Sequence, residues 1–197
     1  MKFFLGPIPR SMTFDAEAAG WTPLRSPPSE RIAVLATVGM IPWFLLAGKA
    51  MGAAVDHLLT LPLLAFAAST LLLVPLHEAV HALAYRQPLG SPHLWTGIWL
   101  RRGIWYVLYD APLPRDRVLF MLIAPAICLS LLPLLALPFL SPGLRYGGLY
   151  LICIQASLCM ADLPSAVRVL RQIPKQAFVH NQGWNTYWST QYEPQET

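Results

Sequence analysis

The sequence predicts an all-α membrane protein with about four transmembrane helices and a short interfacial β-hairpin between the second and the third. Of its 197 residues, 55% are hydrophobic and only 12% are charged, and the mean hydropathy is +0.48. A soluble domain carries about 25% charged residues. The apolar residues form long runs with few charges, and an aromatic segment separates two of them. We therefore expect one transmembrane domain over residues 31–173, with a tail at 1–30 and another at 174–197.

Four apolar runs have the length of membrane-spanning helices, at residues 32–48, 58–86, 118–140 and 144–161. About 20 such residues are needed to cross a bilayer. The second run is longer than that, so it must tilt or bend, and Pro75 is the expected position of a bend. Three prolines make the third run irregular. Residues 165–173, after the fourth run, predict a short interfacial helix.

The loop after the second run is aromatic. Residues 96–100 and 104–109 predict two short strands about a turn that contains Gly103. Trp99, Trp105 and Tyr106 are suited to anchoring this hairpin at the membrane interface. They are equally suited to holding an extended peptide against the hairpin edge, which makes them candidate substrate-binding residues.

Charge and cysteine content exclude other classes of protein. The net charge of +4 comes from scattered basic residues, so no nucleic-acid surface is expected. All 14 Lys and Arg residues except Lys49 and Arg145 fall on one side of the predicted topology, which places both termini in the cytoplasm. Cys128, Cys153 and Cys159 lie in apolar runs without a pairing pattern and are expected to be inert core thiols. The short apolar start, broken by prolines, does not predict a signal peptide.

The residues that indicate chemistry lie in the second run, where His77-Glu78-Ala79-Val80-His81 forms an H-E-x-x-H pentapeptide. On a helix, two histidines four residues apart lie on one side, which allows both rings to bind one zinc ion. Glu78 points elsewhere and is placed to act as the general base on a water molecule. The alternative is a pair of buried histidines hydrogen-bonded between helices, with Glu78 as their partner. Ionisable groups in an apolar segment are costly, which favours the functional interpretation.

A catalytic zinc site needs a third protein ligand. Asp162, at the end of the fourth run, is the best candidate, since no acid except Glu78 lies within a predicted span. The competing interpretation is that Asp162 caps the helix that follows, with Pro164 in its first turn. His57 lies on the opposite side of the predicted bilayer, and His93 and His180 lie in loops or tails, so all three are poorer candidates.

Four features of the chain occur in the order seen in a known family. They are residues 77–83, the hairpin-like stretch, Leu122-Ile123-Ala124-Pro125 and Ala161-Asp162. Over about residues 55–190 the chain resembles the zincin peptidases found among small bacterial membrane proteins, which are related to the site-2 protease-like intramembrane metallopeptidases. The resemblance implies Zn²⁺ as cofactor, with His77, His81 and Asp162 as ligands and Glu78 as the catalytic base. It also implies a location in the bacterial inner membrane.

Two functions follow as hypotheses. The first is a zinc-dependent intramembrane endopeptidase that hydrolyses peptide bonds of membrane-embedded substrates. The second is a non-catalytic, zincin-like accessory or assembly subunit of a larger membrane complex, which the small size and the aromatic tails would suit. The partners are accordingly a membrane-embedded substrate or other membrane subunits, together with the lipid bilayer. A transporter is disfavoured because no inverted repeat is present.

Overall fold

The structure is a computed structural model that describes residues 1–10, 14–26, 38–39, 41–43 and 63–192. The predicted span at residues 32–48 lies outside the described residues except for 38–39 and 41–43, and so does the start of the second span, residues 58–62. The described chain divides into two compact units. The first comprises Met1–Ser26, His81–Leu122 and Ser165–Thr197, and the second comprises Pro27–Val80 and Ile123–Pro164.

The first unit contains two β-sheets. One has the order β1-β3-β4, in which β1 (Lys2–Leu5) runs parallel to β3 (Leu94–Trp99) and β4 (Ile104–Tyr109) runs antiparallel to it. The other has the order β2-β7-β6-β5, formed by β2 (Thr22–Pro23), β5 (Leu113–Pro114), β6 (Phe178–Gln182) and β7 (Asn185–Ser189). The first sheet therefore contains the predicted hairpin together with a strand from the N-terminal tail.

Five α-helices lie within residues 63–192: α1 (Leu63–Ala84), α2 (Arg115–Ala126), α3 (Leu132–Ala136), α4 (Pro142–Leu158) and α5 (Asp162–Gln172). The described residues 38–39 and 41–43 are also helical. A π-turn at Ile127–Leu131 joins α2 to α3, and a 3₁₀ turn at Leu137–Phe139 follows α3. This irregular run contains Pro125, Pro133 and Pro138. Proline removes a backbone donor and crowds the preceding turn, which accounts for the changes of helical pitch.

The prediction of an all-α protein with four transmembrane helices is wrong. About half of the structure is helical and about a fifth forms strands in two sheets. The strands β1, β6 and β7 come from the segments 1–30 and 174–197, which the sequence predicts as tails without predicting strands there. The strands β6 and β7 pair as a hairpin about a turn at Gly183, whose φ of 62° suits glycine. The tails thus build much of the second sheet.

Within the described residues, one helical run is long and apolar enough to cross a membrane, Arg115–Phe139. A bent pair, Leu144–Leu158 with Asp162–Gln172, would pass the same test only if it were one span broken by a 45° bend. The apolar part of α1, Ala68–Ala84, is shorter. A buried core helix of a soluble protein can meet the same criterion, so these helices are weak evidence for a membrane location.

One buried histidine in the second sheet couples folding to pH. His180 is 1% exposed, and its Nε2 lies 3.9 Å from Oδ1 of the buried Asp110. Burial lowers the pKa of His180 below its usual value of 6.5, in spite of the opposing effect of Asp110. The folded chain therefore holds a neutral ring at a pH where the unfolded chain takes up a proton.

We expect the free energy of unfolding to decrease as the pH falls below 6.5, by up to about 1.4 kcal/mol per pH unit for one proton. Well above pH 6.5 both states hold a neutral His180, so this contribution is constant there. Urea unfolding followed by tryptophan fluorescence between pH 5 and pH 7.5 measures the slope. The slope should decrease in His180→Gln, and an unchanged slope in that variant would contradict the assignment.

Candidate metal centre

The H-E-x-x-H residues all lie within α1, which continues through Pro75. His77 and His81 therefore have the helical spacing that places two side chains on one side of a helix. Both rings are buried, at 5% and 6% exposure, whereas Glu78 between them is half-buried. Two buried imidazoles beside a more accessible carboxylate are a suitable arrangement for two ligands and a base.

Asp162 is brought to His77 from 85 residues away in the chain. Its Oδ2 lies 3.1 Å from Nε2 of His77, and its side chain is 17% exposed. Asp162 is the first residue of α5, and its backbone N–H donates to the carbonyl of Cys159 at 3.1 Å. The side chain thus faces a histidine of the motif while the backbone begins a helix.

The other ring nitrogen of His77 faces Gln155, which is fully buried in α4. The separation between Nε2 of Gln155 and Nδ1 of His77 is 2.7 Å. The same amide nitrogen donates to Sγ of Cys159 at 3.6 Å, while Oε1 of Gln155 has no hydrogen-bond partner in the described part of the chain. A half turn of the amide would present that oxygen to Nδ1 as an acceptor.

His81 is held by a backbone carbonyl. Its Nδ1 lies 2.9 Å from the oxygen of Met121, and both belong to the first unit. A carbonyl oxygen only accepts, so Nδ1 carries the proton and Nε2 has the lone pair. Zinc-binding histidines are usually oriented by such a bond from the second ring nitrogen. His81 thus has the tautomer that an Nε2 ligand requires.

The second unit contains a group of three metal-ligand side chains. Ligand atoms of His77, Cys159 and Asp162 all lie within 4.8 Å of one another. Nitrogen, sulfur and carboxylate oxygen are the donors that zinc uses in proteins. The orphaned Gln155 carbonyl provides an acceptor for Nδ1 when Nε2 of His77 takes part in coordination. The residues present therefore fit a zinc ion.

Cys159 was missed in the sequence, where it was grouped with the inert core thiols. It follows α4 directly and is 2% exposed. The sequence does contain a pattern that could have indicated a role for Cys159. Gln155 lies four residues before Cys159, and Asp162 lies three residues after it. Only the fold shows that His77 lies beside this group. Cys153 is also buried, but its Sγ is 4.0 Å from the carbonyl of Trp43 and is not part of the group.

The predicted substrate-binding residues lie in the hairpin of the first unit. Tyr106 is 6% exposed and packs in a core cluster with Trp95 and Leu108, directly above Gly97 on the paired strand. Trp99 and Trp105 are half-buried, and the ring of Trp99 lies 5.9 Å from that of Trp184. The ring of Tyr106 therefore stabilises the sheet, and the two tryptophans are more accessible.

Comparison with known proteins gives one match. Residues 70–178, more than half of the chain, match the family described as “Putative zincin peptidase”. The matched segment begins in α1 and ends at the start of β6, so it contains the pentapeptide, the hairpin, Cys159 and Asp162. No curated protein and no solved structure matches the chain.

Proposed function

Because the chain belongs to this zincin peptidase family, we propose that it is a zinc-dependent endopeptidase that hydrolyses peptide bonds of membrane-embedded proteins. The observation that carries the proposal is the 3.1 Å separation between Nε2 of His77 and Oδ2 of Asp162. A histidine of an H-E-x-x-H helix beside an acidic residue from a distant segment is the ligand combination expected of a catalytic zinc site. The family membership supports the zinc and the hydrolytic chemistry.

Each residue of the site has a defined part in this proposal. His77, His81 and Asp162 would hold the ion, with Gln155 beside the ring of His77 and the Met121 carbonyl beside the ring of His81 to orient the two imidazoles. Zinc bound there would supply Lewis acidity, which polarises a carbonyl and lowers the pKa of water to about 7. The carboxylate of Glu78 takes the proton from the attacking water and delivers it to the nitrogen of the departing peptide.

The membrane location is supported by the surface of the run Arg115–Phe139. In its most apolar stretch of 18 residues, only 22% of the residues are buried inside the structure. Large apolar side chains are exposed along it, including Leu132 at 55%, Leu135 at 61% and Phe139 at 89%. A soluble protein rarely exposes so continuous an apolar surface. We therefore infer that this run contacts lipid, and that the substrates are membrane proteins.

The first sheet offers a way to hold the substrate. In this sheet β3 lies between β1 and β4. Among the described residues, the hairpin therefore has one edge strand, β4 at Ile104–Tyr109. An extended peptide can add to such an edge through main-chain hydrogen bonds. Since Tyr106 is buried, the backbone of β4 and the side chain of Trp105 are the groups that we propose contact the peptide.

Metal content tests the proposed function. We expect the purified protein to bind about one zinc ion per chain, as a three-ligand site would. In His77→Ala the zinc content should decrease to less than about a tenth, because one ligand and the partner of Asp162 are lost. Elemental analysis after dialysis measures both. His93→Ala is the matched control, since the His93 ring lies in the first unit, 3.2 Å from the Asp110 carbonyl and beside the ring of Tyr109. Equal zinc contents in the two variants would overturn the proposal.

A further inference from the structure

Cys159 has no part in the proposed peptidase chemistry, yet it lies in the same group of side chains as His77 and Asp162. Ligand atoms of all three residues lie within 4.8 Å of one another. The thiol is 2% exposed, so solvent hardly reaches it. It follows α4 directly, and its carbonyl accepts the backbone N–H that begins α5 at Asp162. The thiol is therefore fixed by the same short connection that positions the acid.

The neighbouring amide provides independent support for a bound cation. Gln155 is completely buried, and its Nε2 contacts both Nδ1 of His77 and Sγ of Cys159. Its Oε1 has no partner among the residues that the structure describes. An unsatisfied buried carbonyl is costly. If His77 coordinates a metal through Nε2, its Nδ1 carries a proton, and a half turn of the Gln155 amide lets Oε1 accept that proton.

We propose that Cys159 is an additional protein ligand of the zinc site, binding through its thiolate. This inference rests on the proposed function, because it concerns the same ion. On coordination the S–H bond breaks, the proton is released to solvent, and a sulfur–metal bond forms without any change of oxidation state. Thiolates are among the preferred ligands of zinc, and the cation makes a buried thiolate stable.

A fourth protein ligand changes what the site can do. Catalytic zinc sites keep one position open, whereas four protein ligands close a site and make it structural. If His81, one turn further along α1 than His77, also binds the ion as proposed above, Cys159 would occupy the position that water or substrate needs. The resting protein is then latent, and peptidase activity requires the thiolate to leave the metal. Removing the thiol should accordingly weaken metal binding while raising hydrolysis.

Cobalt substitution tests this proposal through a spectroscopic signal that does not depend on activity. Co²⁺ bound to the full-length wild-type protein should show the intense near-ultraviolet absorption of thiolate-to-cobalt charge transfer, together with the weaker visible bands of a four-coordinate ion. In Cys159→Ala the charge-transfer band should be lost, the visible bands should remain, and the cobalt affinity should decrease by more than about 100-fold, as for the loss of any direct ligand. Cys159→Ser, which keeps the volume of the side chain, should lose the same band.

Two further cysteines supply matched controls. Cys153→Ala removes another buried thiol of α4, and Cys128→Ala removes an exposed one. Both variants should keep the charge-transfer band. The Cys159 proposal is overturned if Cys159→Ala also shows the charge-transfer band. It is likewise overturned if wild-type protein binds cobalt at His77 and shows no charge-transfer band. In both cases the peptidase proposal stands. If wild-type protein and His77→Ala both fail to bind cobalt, the two proposals fail together.

Discussion

Replacing Glu78 with glutamine is expected to abolish peptide hydrolysis and to leave the metal in place. Glutamine has the shape of glutamate but cannot accept a proton at neutral pH, so the attacking water is no longer activated. General-base catalysis contributes about 10²- to 10⁴-fold to a rate, and we expect a loss of that order or more. The assay uses fluorescein-labelled casein and a single-span model peptide in phosphatidylcholine vesicles. Zinc content is measured on the same samples.

The matched control is Glu17→Gln, which makes the same chemical change at an exposed position where the carboxylate accepts a hydrogen bond from the Tyr187 hydroxyl. Its activity and zinc content should equal those of wild type. If Glu78→Gln kept full activity and its zinc, the peptidase mechanism would be wrong. If wild type and Glu78→Gln both bound zinc and neither hydrolysed any peptide, the chain would be better described as a zinc-binding accessory subunit.

The local part of the site could be predicted from the sequence because it depends on helical spacing. An H-E-x-x-H pentapeptide in an apolar run indicates one helix with two histidines on one side, and α1 contains His77, Glu78 and His81 in that way. The proximity of Asp162 to His77 was expected from a different observation, the scarcity of acids in apolar runs. The structure brings the two side chains to 3.1 Å, and their function as ligands stays a prediction.

The fold class could not be predicted, because hydropathy reports only how apolar a run is. It does not report whether the run is one straight helix, and three prolines divide the third run into helices of different pitch. It also says nothing about strand pairing. Residues 2–5 form a strand only because β3 offers an edge to them, which is a contact between segments about 90 residues apart. Such contacts leave little trace in the local pattern.

The role of the thiol and the amide was missed for a related reason. Gln155 and Cys159 stand four residues apart in an apolar run, where a glutamine usually finds a backbone partner and a cysteine usually packs as a small apolar residue. Their proximity to His77 depends on how α4 packs in the second unit, where Tyr150 and Ile154 of α4 form a core cluster with Leu73 of α1. The packing of apolar neighbours thus determines which polar groups meet.

Replacing Asp162 distinguishes the two interpretations that the sequence left open, a metal ligand and a helix cap. We expect Asp162→Ala and Asp162→Asn both to lose zinc affinity by more than about 100-fold, because neither retains an anionic oxygen beside His77 and a direct ligand is worth more than an orienting group. Competitive titration with a chromophoric zinc chelator measures the affinity. Asp116→Asn is the control, since Asp116 is a 75% exposed acid in the first turn of α2 and contacts Arg115.

Asparagine is the informative substitution, because it is as good a helix cap as aspartate and a much poorer zinc ligand. If Asp162 were only a cap, Asp162→Asn would have wild-type zinc affinity, and only Asp162→Ala would lose stability, by about 0.5–2 kcal/mol. If Asp162 is a ligand, the asparagine variant keeps α5 and loses the metal. Thermal unfolding with excess zinc and with chelator then distinguishes a ligand from a cap. If Asp162 is a ligand, zinc should raise the melting temperature of wild type and leave that of Asp162→Asn unchanged.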